Sequence, residues 1–439
     1  MKLFNKDSIS NDISEFIVKS SSFFLLRIIS SLIGYVFTIY ISNKYDSGIY
    51  GLIALGLSMF LILSVFGRLG LDTNIVKFFS QDKNDSEAGI FYKSLLISFF
   101  TSSIIVFILH IFSSEIVNNV YKNPKPELLY YLPWILAAVP FWNVGMLCAN
   151  LLRAKKKNIL FAFISNISRF LFSIIFIVSI TYYFGDDTKY IVIGHFVATV
   201  VTAIFAFIIA QKTLKAVKLK SHVRTSVFLK DAFPMLLSSS MLILLGLVDT
   251  QVMGIYETNS NIGIYNVCLK IAAITTFSLQ AVNSILAPKI AKSYSEGDME
   301  YKKLIAFSTK LNFLISTIIV VGIILFRTFL LGIFGDSFIA GEVILLIFCF
   351  GQIINSFAGS VGVILQMTGK QKVYQNFVVI ALILNLILTF ILTPAYGGVG
   401  AASATVLSMA FWNVGSAIYL KRKMNITSYF NLLNIKLYK

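Results

Sequence analysis

About twelve long apolar runs constrain this chain more than any other feature, at roughly 16–42, 49–69, 91–112, 128–152, 159–184, 189–210, 232–255, 262–287, 306–334, 340–368, 373–394 and 397–420. A helix rises ~1.5 Å per residue and the hydrocarbon core of a bilayer is ~30 Å thick, so about 20 apolar residues suffice to cross it. Every run reaches that length. Backbone amides find no water inside a bilayer, so each run is predicted to be a helix that satisfies its own hydrogen bonds. With 57% hydrophobic and 13% charged residues over 439 positions, and a mean hydropathy of +0.82, a soluble fold is excluded.

The charges give the topology. The net charge of +17 does not point to nucleic acid, because the lysines and arginines sit in short loops between the runs. With the N-terminus inside, about 27 of them fall on the cytoplasmic side, and the outer loops hold Lys44, Lys122, Lys125 and Lys189. Both termini are then cytoplasmic, and the basic loops contact anionic membrane lipid. The polar N-terminal stretch carries no cleavable leader pattern, so the first run is expected to remain in the mature protein. Cys148, Cys268 and Cys349 all lie within runs and read as packed thiols rather than a disulfide framework.

The chain also repeats itself. SGIYGLIAL from Ser47 opens the second run and NIGIYNVCL from Asn261 opens the eighth, and matching basic segments come after each at offsets of about 212–215 residues. Small residues recur every fourth position at Gly194, Ala198, Thr202 and Ala206 and again at Gly400, Ala404 and Ser408, a spacing that lets helix backbones approach closely. The expected fold is an all-α integral membrane protein with two six-helix bundles related by a pseudo-twofold axis along the membrane normal. Its parts are a tail at 1–15, an N-terminal bundle at 16–210, a cytoplasmic connector at 211–230, a C-terminal bundle at 231–422 and a tail at 423–439. The connector would serve as the hinge between rocking halves.

Ionisable residues inside membrane spans are expensive and mark candidate sites. Arg27 in the first run and Arg169 in the fifth share a depth of ~16 Å from the cytoplasmic end. Neither run offers an acid to neutralise them. Two guanidinium groups facing one cavity would suit a phosphate or pyrophosphate, with Asn166, one turn before Arg169, as a further donor. Alternatively, each arginine caps backbone carbonyls or snorkels along a neighbour. Asp249 in the seventh run and Lys270 in the eighth lie at depths that let them meet as a buried ion pair. Functionally, Asp249 would be a coupling group for a proton or sodium gradient, or Lys270 a further contact to an anionic substrate. Lys19 and Lys310 sit near inner ends, as snorkelling side chains or the lining of a cytoplasmic vestibule. His110, His195 and His222 have no metal-site spacing, and no cofactor or metal is expected. Amides within the runs, among them Asn143, Gln280, Asn283, Asn355, Gln366 and Asn385, serve as interhelical bonds or line a polar cavity for hydroxyl-rich cargo. Gly-x-Ser-x-Gly, Walker and zinc-protease patterns do not occur, so the chain does not read as an enzyme.

The segment GQIINSFAGSVGVILQMTGKQKVYQNFVVIALILNLILTFILTPAYGGVGAASATVLS, with its Thr-Gly-Lys turn and Pro-x-x-Gly-Gly-x-Gly-Ala-Ala entrance, resembles the Wzx-type polysaccharide repeat-unit flippases of the multidrug, oligosaccharidyl-lipid and polysaccharide exporter superfamily. SGIYGLIALGLSM, GRLGLDTNIVKF and FPMLLSSSMLILLGLVDTQVMGIY are similar to other landmarks of that family, and the resemblance extends over essentially the whole chain. It implies alternating access and movement of an undecaprenyl-pyrophosphate-linked oligosaccharide, of O-antigen or capsule type, from the cytoplasmic to the outer leaflet of the inner membrane. It implies a cation-lined cavity too, which Arg27 and Arg169 would supply, and partnership with a glycan polymerase and a chain-length regulator. Drug exporters of the superfamily carry an acid in the first span, where this chain has Arg27. An ion-coupled drug or metabolite antiporter of the same fold remains the rival reading. A glycan polymerase or ligase is disfavoured, because the longest outer loop, about Ser113 to Glu127, is short.

Overall fold

The structure is a computed structural model that describes residues 26, 28–81, 87–214 and 221–431, apart from the side chains of 237–239 and 300. Arg27 and Lys19 lie outside the described residues, as do the tails and part of the connector. The described chain is helical nearly throughout. Among the described residues eight helices are long and apolar enough to cross a membrane, and two further pairs do so as bent spans. The first helix, α1, runs over 28–44. After it come α2 (Ser47–Arg68), a short α3 (Leu71–Phe79), α4 (Ala88–Ile111), α5 (Pro126–Ala154), α6 (Asn158–Phe184) and α7 (Lys189–Leu214). The seventh span is α8 (Thr225–Leu245) with α9 (Val248–Tyr256), and it bends by 41° within α8, between Leu236 and Ser240. The eighth is α10 (Asn259–Ala273) with α11 (Thr276–Ser295), bent by 43°. Then come α12 (Glu300–Leu325), α13 (Glu342–Ala358) with α14 (Val361–Met367), and α15 (Gln371–Met424).

The last of these is two spans. Gly397 takes φ +56 and ψ −138, and a Cβ on Gly400 would land on the carbonyl of Leu392. Thr389 and Thr405 both reach one carboxylate, that of Asp249, although 16 residues of straight helix would part them by ~24 Å. The chain therefore reverses at Gly397 into a helical hairpin, which only a glycine can do at this φ without strain. Counting α1 and the two arms of the hairpin, the described chain accommodates the twelve predicted spans.

Packing explains the predicted repeat. Ser47 and Ser260, 213 residues apart, share a hydrogen bond of 2.6 Å. A Cβ on Gly51 would land on the carbonyl of Asn259, and one on Gly263 on the carbonyl of Ser47. The starts of α2 and α10 thus cross with backbones in contact, and the small residues of the repeat are where the two halves touch. One apolar core spans both halves at this end, from Phe37, Tyr50 and Trp142 to Met253, Tyr265 and Phe338. At the opposite end the core divides. One part, around Leu71, Phe91 and Leu152, belongs to the N-terminal half, and another, around Leu286, Ile364 and Leu420, to the C-terminal half. The molecule has a joined end and a divided end.

The first turns of α8 are the exception to the split. Phe228 and Ala232 pack into the N-terminal core, and Asn74 Nδ2 donates to the Phe228 carbonyl at 2.9 Å. Just before α8, the Glu87 carboxylate accepts from the Ser221 hydroxyl and from the amides of His222 (2.9 Å) and Val223 (3.3 Å). These bonds hold the Glu87 carboxyl below its usual range, the Ser221 bond contributing most. The described part of the connector is clasped to the N-terminal half, and the packing continues across the boundary expected at residue 231.

Candidate functional site

Arg169 sits on α6 directly after a π-turn over Phe163–Ile167, and such a turn inserts one residue and rotates the remainder of the helix. Its guanidinium lies among three aromatic rings, 4.5 Å from the centroid of Phe170, 5.2 Å from Trp142 and 5.7 Å from Phe60. Nη1 is buried without a hydrogen-bond partner. Among the described residues no carboxylate pairs with it. Cation–π contacts offset part of the cost of taking the charge from water but leave its N–H groups unanswered. Beside the same Phe60 ring, at 5.2 Å, lies His195, whose Nδ1 is 3.3 Å from the Ser173 hydroxyl and whose Nε2 is also buried and unpartnered. The N-terminal half therefore holds a cation with donors to spare. Neither backbone carbonyls nor the lipid interface occupies the Arg169 guanidinium, as the structural alternative required.

Asn166 does not join it. The π-turn breaks the 3.6-residue spacing that would have put Asn166 on the face of Arg169, and its Nδ2 donates instead to the Ser165 hydroxyl (2.8 Å) and the Ala162 carbonyl (3.3 Å). Its backbone carbonyl accepts from Ser30 at 2.8 Å, which fixes α1 against α6.

The expected pair of Asp249 and Lys270 does not form. Asp249 is 2% exposed and turns into the C-terminal half, accepting from Thr405 (2.6 Å), Tyr265 (3.1 Å) and Thr389 (3.2 Å), with Asn385 beside it. Tyr265 and Lys270 are five residues apart on α10, roughly 140° around the helix, so a lysine there faces away from the acid that the tyrosine meets. Lys270 instead bridges the halves: Nζ donates to the Thr38 hydroxyl, lies 5.5 Å from the Tyr50 ring, and the Lys270 carbonyl accepts from Tyr35 at 2.7 Å. Asp249 is left as a buried acid in a cage of hydroxyls. Lys310 is exposed on α12 near the divided end.

The joined end carries a second lysine that the sequence reading assigned only to topology. Lys125, 1% exposed, precedes α5 and donates to the Glu257 carbonyl and to Asn259 Oδ1, both at 2.9 Å. Burial lowers its pKa to about 8, against the opposing pull of Glu257 and Glu127. Nearby, the Lys122 amide donates to the Ile255 carbonyl (2.8 Å) and Asn123 Nδ2 to the Tyr256 carbonyl (2.6 Å). Arg68, also unremarked, is 5% exposed and spent within the N-terminal half on Asp72 (3.1 Å), Ser64 (3.2 Å) and Asn143 (3.3 Å). The aromatic box around Arg169 was not visible either, since Phe60 and Trp142 look like any apolar residue of a span. Among the described residues no three His, Cys, Asp or Glu side chains gather as a metal site would require.

These features define a class: a multi-pass membrane protein of two helical lobes joined at one end, with, among the described residues, a buried cation lacking a counter-charge in one lobe and a buried acid lacking one in the other. The chain belongs to the polysaccharide biosynthesis protein family, whose model matches residues 17–294, and the MatE model matches residues 234–391. It is similar to the probable low-salt glycan biosynthesis flippase Agl15 of Haloferax volcanii, 32% identical over 181 residues, which is 41% of this chain and 38% of that protein. The fold is shared with the lipid II flippase MurJ in its inward closed conformation (TM-score 0.72, 15% identity, 91% of this chain and 87% of that one). A multidrug resistance MATE family transporter in an inward-facing conformation shares it as well (TM-score 0.72, 15% identity, 92% and 98%).

Proposed function

We propose that the protein is a flippase that carries a polyprenyl-pyrophosphate-linked oligosaccharide, with undecaprenyl as the expected carrier, from the cytoplasmic to the outer leaflet by alternating access. The observation that carries this reading is the Arg169 guanidinium, held inside a lobe with a buried N–H unanswered and no acid beside it among the described residues. A headgroup phosphate would supply the acceptors it lacks. Family membership and the Agl15 similarity favour glycan cargo. The basic loops at Arg153 to Lys157, Lys289 to Lys303, and Lys421 to Lys423 come after spans that end at the divided end, so the positive-inside rule turns that end to the cytoplasm, with both termini there. In that orientation the protein stands open to the leaflet in which the lipid-linked unit is made. It transports rather than catalyses, and a polymerase with its chain-length regulator would use the product.

Asp249 is read as the coupling group. Its oxygens, with the hydroxyls of Thr389, Thr405 and Tyr265, form an all-oxygen setting suited to a proton or a sodium ion. The MatE match spans this segment, which makes ion-coupled export of a small molecule the second reading.

The test is charge removal in cells whose surface glycan depends on this gene. Arg169→Gln, alone and with Arg27→Gln, is expected to abolish surface glycan while lipid-linked units accumulate on the cytoplasmic side, and Arg169→Lys should restore part of the flux. Unchanged glycan with the Gln variants at normal expression would overturn the proposal. If cationic-drug susceptibility changed instead, the antiporter would take its place.

A further inference from the structure

A cavity of about 130 Å³ lies within the C-terminal lobe, toward the divided end, apart from both Arg169 and Asp249. Its walls include Asn283 of α11, Asn355 of α13, Gln366 of α14, and Tyr374 and Trp412 from the two arms of α15. The local sequence builds it. Gly359 takes φ +77, which ends α13 and restarts the helix at Val361, so the wall has a notch in place of a continuous helix. Gly362 lets the Tyr374 ring lie against the backbone, since a Cβ there would come within 2.9 Å of it. Tyr374 in turn meets Trp412 edge to face, with centroids 6.0 Å apart. The indole is thereby held in place on the wall.

The chemistry of this wall is specific. Among the described residues no carboxylate, lysine or arginine lines it, which argues against a cation or a phosphate as its ligand. Asn283, on this wall, has a buried Oδ1 with no hydrogen-bond partner, an acceptor that is costly to leave unanswered and that a turn of the side chain brings to the cavity. Amides offer donors and acceptors together, and an indole presents a flat apolar face with one N–H at its edge. A neutral polyhydroxylated ring meets all three demands: its hydroxyls donate to Asn283 and exchange bonds with Asn355 and Gln366, while its C–H face covers the indole. We infer that this cavity is a sugar-binding subsite that holds one residue of the oligosaccharide, with Trp412 as its platform and Asn283 as its acceptor. The inference rests on the flippase reading and deepens it, because the two lobes then divide the substrate, phosphate to the N-terminal lobe and sugar to the C-terminal lobe.

The experiment uses the full-length protein in nanodiscs with two independent probes. Saturation-transfer NMR with free glucose, galactose and N-acetylglucosamine reports the sugar subsite, and 31P line broadening of inorganic pyrophosphate reports the Arg169 site. For at least one sugar the wild type is expected to show transfer, weakened roughly tenfold or more by Trp412→Leu and by Asn283→Leu and largely kept by Trp412→Phe. Pyrophosphate broadening should survive Trp412→Leu, which also shows that the variant is folded, and vanish in Arg169→Gln. Absence of transfer from every sugar, or transfer undiminished in Trp412→Leu, overturns the sugar subsite. If sugar binds as described but pyrophosphate does not, the phosphate role of Arg169 fails and the sugar subsite stands.

Discussion

At the scale of single residues, the informative side chains are those whose charge has no counter-charge. Asp249 was legible as an intramembrane acid, but its partners were not. Sequence depth suggested Lys270, and the orientation of α10 delivered Tyr265. Asp249→Asn keeps an acceptor for Thr405 and Tyr265 and removes the charge, so we expect normal protein levels with loss of the proton or sodium dependence of transport, measured in proteoliposomes. Asp249→Leu removes the acceptor as well, and because Thr389 and Thr405 keep the carbonyls of Asn385 and Ala401 and Tyr265 keeps Thr405, the expected cost is about 1–3 kcal/mol in all, read as a lower thermal midpoint. Lys125 makes a pH prediction. Its pKa is about 8 in the joined end against an ordinary 10.5 when exposed. The closed form therefore binds fewer protons between those values, and closure gains stability as pH rises from about 8 toward 10.5, with no further change below 8. Spin-label distances across this end should shorten over that window, and Lys125→Met should flatten the response.

At the scale of elements, the small residues seen in the sequence fall where helices touch. Ala198, Thr202 and Ala206 are wholly buried on α7, and a Cβ on Gly194 would meet Ile177 of α6 at 2.6 Å. The contact of α2 with α10 is closer still, because Gly51 and Gly263 leave no space for a methyl group. Gly51→Ala or Gly263→Ala should force these helices apart and shift the protein toward the form open at the joined end, detected as increased labelling of a cysteine introduced there. Gly332→Ala, which meets nothing within 4 Å, is the control that should leave labelling unchanged. Spacing foretold the α7 contacts, because a row of small residues every four positions lies on one helix face, whereas the closeness of Gly51 to Gly263 came from the structure. The π-turn at Phe163–Ile167 had no such signature, and it is what separated Asn166 from Arg169.

At the scale of the whole molecule, one shared core at one end and two separate cores at the other are the arrangement that the alternating access proposed above requires of one of its states. The Ser47 and Ser260 hydroxyls meet across the lobes at the joined end. A Ser47→Cys, Ser260→Cys pair is therefore expected to form a disulfide under oxidation, hold this end shut and stop glycan export, with recovery on adding reductant. The three native cysteines are buried and should not compete. Export that continued with the crosslink in place would mean that this end need not open. The sequence by itself determined what depends on composition and spacing: membrane-spanning helices, their number, the twofold repeat and the residues of close approach, because apolar length and small-residue periodicity act locally along a helix. Tertiary structure alone decided which way each charged side chain faces. Rotation of α10, a π-turn in α6 and the reversal at Gly397 set whether Arg169, Asp249 and Lys270 meet a partner, an aromatic ring or the opposite lobe, and such rotations arise from packing between distant segments.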